Sequence, residues 1–69
     1  MQTYAYNIVV YIYHPDGNRE VILSGEVQST RYSFACIRAW EAINAECDRI
    51  ERECGGKVAA GALDMRVVA

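Results

Sequence analysis

One helical period runs through this chain, and only one. The apolar positions Cys36, Trp40, Ile43, Cys47, Ile50 and Cys54 are spaced four, three, four, three, four. At about 100° per residue these side chains fall within an arc of roughly 80°, one narrow face of a helix. Every other patterned segment reads as strand. A single helix covers a single side of a sheet, so a sheet formed by this chain leaves its other side without intramolecular cover.

Residues 3–13 are dense in Tyr, Ile and Val, which favour a pleated strand. His14-Pro15-Asp16-Gly17-Asn18 follows, with Pro to fix φ at the first corner and Gly to accept positive φ. Residues 20–28 read as a second strand, so residues 3–28 predict a β-hairpin. Ser29, Thr30 and Ser33 compete as N-cap of a helix running from about Ser33 to Cys54, where Gly55-Gly56 supplies a stop. Its outer face carries Arg38, Glu41, Asp48, Arg49, Arg52 and Glu53, with i,i+4 pairs Asp48–Arg52 and Arg49–Glu53, and reads as a solvated surface. Residues 57–62 are small and glycine-flanked and carry no clear period, whereas residues 63–68 alternate as a final strand.

The order is ββαβ. The helix carries the chain back across the sheet, so the third strand lies parallel to the second. If it pairs with the first strand, the crossover spans one intervening strand and the right-handed form is preferred. The expected fold is α+β: a three-stranded antiparallel or mixed sheet of order 2-1-3, with one long helix packed on one face. The 69 residues make one domain, 1–69, small enough to be marginally stable.

A two- or four-residue hairpin loop puts Tyr6, Ile8, Val10 and Ile12 on the same face as Val21, Leu23 and Val27, with Leu63, Met65 and Val67 extending it. That is the helix-covered side; a three-residue loop would mix apolar with charged residues. The opposite face then holds Asn7, Val9, Tyr11 and Tyr13, beside Glu20, Ile22, Ser24 and Glu26, with Asp64, Arg66 and Val68. Val9, Tyr11, Tyr13 and Ile22, with Arg66 at their side, are therefore the candidate partner-binding residues, an uncovered apolar cluster of the kind that marks interfaces. Phe34 lies off the helical stripe; with a helix starting near Thr30 it is exposed and becomes a second contact candidate.

Other chemistry is weakly signalled. The net charge of −2 gives no drive toward phosphate backbones, so nucleic acid is not the expected partner, although aromatics on an open sheet could stack bases. Cys36 and Cys47 are about 16 Å apart along a helix axis and Cys47 and Cys54 about 10 Å. One tetrahedral ion cannot be held that way, and all three thiols are expected to be buried and reduced, with no metal and no cofactor. His14 sits in a surface turn, away from every cysteine, which leaves no Cys-His pair. The glycines at 55–61 follow a helix rather than open one, unlike a phosphate cradle. No run is long enough to span a membrane and no leader precedes the first strand, so the cytoplasm is the expected location.

In architecture the whole chain resembles the very small inhibitors that bacteriophages and other mobile elements encode against host defences, the anti-CRISPR type among them. The shared features are short length, mild acidity, the opening hairpin with Tyr6-Asn7-Ile8-Val9-Val10-Tyr11 and Pro15-Asp16-Gly17, one helix, and a closing strand. The resemblance implies a protein that binds and blocks a larger host complex, and it brings no residue roles with it. The expectation is a non-enzymatic interaction module with a protein partner. The alternatives are a homodimeric accessory protein and a single-stranded nucleic-acid binder.

Overall fold

The computed structural model describes residues 1–68. Two thirteen-residue strands, β1 (Gln2–His14) and β2 (Gly17–Ser29), form the hairpin, followed by helix α1 (Tyr32–Cys54) and strands β3 (Lys57–Ala60) and β4 (Asp64–Val67). His14 pairs with Gly17, so the loop is the two residues Pro15-Asp16 and the register is the one that keeps apolar side chains on one face. His14 helps to close this turn: its Nδ1 accepts the Asp16 N–H at 3.2 Å.

β1 is central. It pairs antiparallel with β2 along its whole length, and on its other side with β3 through Val10–Tyr13 and with β4 through Tyr4–Asn7. The sheet order is β2-β1-β3, the order expected for a third strand paired with the first, and every ladder is antiparallel. The additional strand comes from residues 57–60, which the sequence pattern leaves unassigned. Between the two edge pieces, Gly61, Ala62 and Leu63 stand opposite only Val9 and Ile8, the geometry of a β-bulge. The extra residue switches the side-chain parity. Val58, opposite Ile12, and Met65, opposite Tyr6, both pack on the core although their positions differ by an odd number. Val67 was expected on the covered side with Leu63 and Met65, but at the sheet's end it stays 51% exposed.

α1 lies across the face formed by the even-numbered residues of β1. Ile8, Val10, Ala39 and Ile43 form the buried centre, ringed by half-buried Tyr6, Val21, Leu23, Trp40, Cys47, Val58, Leu63 and Met65. The buried helical positions are Ala35, Ala39, Ile43 and Ile50, so the inward face is turned by about 55° from the centre of the cysteine stripe toward the alanines. Alanine methyls let the helix backbone approach the sheet, and the bulkier side chains fall on the flank above β3 and β4. There Cys36 Sγ lies 3.8 Å from Met65 Sδ, and the Val58 N–H donates to Glu51 Oε1 at 3.3 Å. Ile43 fills the middle of the core, and Trp40 packs half-buried against it.

Cys54 corrects the expectation of three buried thiols: Cys36 and Cys47 are half-buried, and Cys54 is exposed. Beyond Ile12 and its partner Arg19 the covered face of the hairpin offers only His14 and Gly17, so the last helical turn has no apolar surface beneath it. Gly55 then ends the helix at φ 69°, its N–H donating to Glu51 O at 2.9 Å. At the other end the N-cap is Arg31, with no side-chain cap, while the candidate cap Ser29 is buried and accepts the Arg31 N–H at a long 3.4 Å.

Candidate interaction face

The odd-numbered residues of β1 point away from α1. Val9 is half-buried, Tyr11 is 37% exposed and Tyr13 49%, and Ile22, directly opposite Val9 on β2, is 71% exposed. Three cross-strand rows build the surface: Ile22 with Val9, Glu20 with Tyr11 and Ala59, and Asn18 with Tyr13 and Lys57. The Tyr11 ring leans over the bulge, where a Cβ on Gly61 would stand 3.4 Å from its Cε2. Four of the five candidate residues therefore meet on one patch at the hairpin end of the face. Its border is mixed, with Glu20 on the β2 side and Lys57 on the β3 side.

Arg66 is on this face but not in the patch. It pairs with Ala5, four residues from Val9 and six from Tyr11, hence about 13 and 20 Å along the strand. Around it Asn7, Ser24, Glu26 and Asp64 make a polar half, with Glu26 and Arg66 on either side of Ala5. The face is thus divided lengthwise, aromatic toward the turn and charged toward the chain ends. Lys57 and Ala59 belong to the aromatic half and were not recognised as members; their only signal was the weak alternation of Lys57-Val58-Ala59-Ala60.

Phe34 is 50% exposed and Ile37 56% on the outer side of α1, and the Arg31 guanidinium lies 5.8 Å from the Phe34 ring centre. Together with Met1, 82% exposed, they form a second apolar surface. Tyr32, next to it, packs edge-on against Tyr4 at 6.0 Å. Its hydroxyl is held above the ordinary tyrosine range, chiefly by the neighbouring Cys36 thiol.

Among the described residues, no group of three or more His, Cys, Asp or Glu comes together to hold a metal ion. Burial pushes the Cys47 thiol up, with Asp48, Glu51 and Glu46 adding to the effect, which makes it a poor nucleophile. No helix of the described residues is long and apolar enough to cross a membrane. No known family model, curated protein or solved structure matches this chain.

Proposed function

We propose that this chain is a non-enzymatic protein-interaction module that acts by occupancy, its open sheet face covering a surface on a larger protein. The observation that carries this reading is the patch of Val9, Tyr11, Tyr13 and Ile22, four large apolar side chains on the sheet face that the helix leaves uncovered. Tyrosine supplies rigid contact area with few rotatable bonds, and aromatic side chains dominate measured interface energetics. The Glu26, Asp64 and Arg66 half then acts as a polar rim that orients the partner rather than holding it. Glu20 beside Tyr11 and a net charge of −2 disfavour a phosphate backbone on the same surface. The unpaired thiols Cys36, Cys47 and Cys54 suit a reducing compartment, in keeping with action in the cytoplasm.

The test is a paired measurement on Tyr11→Ala and Tyr13→Ala. Both side chains lie on the face away from the helix and outside the core, so the melting temperature should stay close to the parent's. Binding of any protein captured by the parent chain should weaken by about 2 kcal/mol or more. Variants that remain folded and bind normally would remove this face and move attention to Phe34 and Ile37.

A further inference from the structure

The two edges of the sheet are built differently. One edge is β3 and β4, two four-residue pieces interrupted by the bulge at residues 61–63. The other is β2, thirteen residues paired continuously with β1, with no proline and no break in its register. Bulges and short pieces protect an edge from pairing with another strand, and β2 has neither.

The direction of its backbone groups follows from two hydrogen bonds. Gly61 N–H donates to Val9 O at 2.8 Å and Val68 N–H to Thr3 O at 2.9 Å, so odd-numbered residues of β1 bond toward β3 and β4. In an antiparallel ladder these groups alternate in direction, so the even-numbered residues bond toward β2, and their partners there are odd-numbered. The N–H and C=O groups of Asn18, Glu20, Ile22, Ser24, Glu26 and Gln28 therefore point outward from the sheet, an unpaired row about 34 Å long.

We propose that this edge pairs antiparallel with β2 of a second copy about a two-fold axis at Ile22, giving a dimer with one sheet six strands wide. The occupant is argued from self-complementarity. In this register Ile22 faces its own counterpart, covering a side chain now 71% exposed, and on the helix side Val21 faces Leu23. Glu20 meets Ser24 and Asn18 meets Glu26, so no like charges stand opposite each other. Centring the axis on Leu23 sets Glu20 against Glu26, and centring it on Val21 sets Arg19 against Leu23. On the helix side the groove over Leu23 is bordered by Ala42, Ala45 and Glu46. Such pairing is isologous and closes after two copies. It joins the two open faces side by side and covers neither Tyr11 nor Tyr13, but it shares Ile22 with the docking patch above.

Sedimentation velocity across a wide concentration range, combined with amide exchange by NMR, tests the proposal. A concentration-dependent dimer is expected, in which the amides of Asn18, Glu20, Ile22, Ser24 and Glu26 gain protection. The Ser24 N–H has no partner within one copy, so Ser24→Pro should keep the fold while removing two intermolecular hydrogen bonds, raising the dimer Kd roughly thirtyfold. Ser24→Glu sets Glu against Glu20 twice and should raise Kd about fivefold, and adding Glu20→Lys should restore it. A chain that stays monomeric to millimolar concentration, and takes up only an extended peptide from another protein at this edge, overturns the proposal. So does a dimer in which those β2 amides remain unprotected, or one whose Kd is indifferent to the Ser24 charge.

Discussion

Val9 and Val10 are neighbours of identical chemistry with different fates: Val10 is completely buried beneath α1, and Val9 lies half-open on the other side of the sheet. The difference between the two faces is therefore not one of composition. Both carry valine, isoleucine and tyrosine, and what separates them is the period of two in a strand together with a single helix to spend as cover. The covered face supplies stability through Ile8, Val10, Ile12 and Ile43, and the open face retains apolar side chains that folding does not need. In a domain of this size, a face that contributes little to folding is free to be shaped by a partner.

The strongest way to break this comparison is a truncation on each side. Ile8 is 1% exposed at the centre of the core, and Ile8→Ala should destabilise by about 3 kcal/mol, a transfer loss plus a cavity. Val9→Ala should cost less than about 1 kcal/mol. Urea unfolding at low protein concentration reads both. Equal losses would mean that the open face is covered in solution.

Gly25 tests how tightly the covered face is packed. The Tyr6 side chain crosses β2 at this residue, and a Cβ there would stand 2.6 Å from the Tyr6 hydroxyl oxygen. Gly25→Ala must push the ring aside and should cost about 1–2 kcal/mol. Ser24→Ala, one residue away on the open face, should stay within about 0.5 kcal/mol. A stabilised Gly25→Ala variant would show that the Tyr6 ring is free to leave without loss.

Much of this division was legible from the residues alone. A two-residue Pro15-Asp16 loop and strict alternation leave only one hairpin register with an apolar face, so the covered and open sets of β1 and β2 follow. The edge strand was harder. Along Val58-Ala59-Ala60-Gly61-Ala62 either parity is about equally apolar, and no pattern marks where the bulge inserts its extra residue. The position of Arg66 depends on that bulge. Arg66 was assigned to the correct face but set beside the tyrosines, when its pairing with Ala5 holds it at the far end. The orientation of α1 was off for a related reason: Ala35 and Ala39 are too small to dominate a periodicity, yet small side chains decide how closely a helix can approach a sheet.

The cysteines carry the same contrast onto the helix. Cys47 is half-buried beside the core and Cys54 lies past the end of the sheet's apolar surface. Cys47→Ser should cost about 1 kcal/mol, from a hydroxyl placed where a weakly polar thiol packs, and Cys54→Ser should have no measurable effect on unfolding. With a thiol reagent the native protein should label first at Cys54, and Cys47, its thiol pushed up by burial, should label slowly. Equal labelling rates at the two sites would place Cys47 outside the core.

The smallest effect belongs to the exposed helix flank, where charge rather than packing is at work. Arg49 bonds Glu46 at 2.6 Å and Glu53 at 2.9 Å, and its guanidinium holds the Glu46 carboxyl below the ordinary glutamate range. A carboxyl whose pKa is lower folded than unfolded contributes stability above its unfolded pKa and loses it as the pH falls through the folded one. The parent should therefore be slightly more stable than Glu46→Gln at neutral pH in low salt, and the two should converge in acid. Both partners are open to solvent, so high salt should close the gap as well. Melting curves at neutral and acidic pH, each in low and high salt, decide the matter. A gap that persists in acid or in high salt would show that Glu46 contributes through packing over β2, and would move this position from the solvent flank to the covered side.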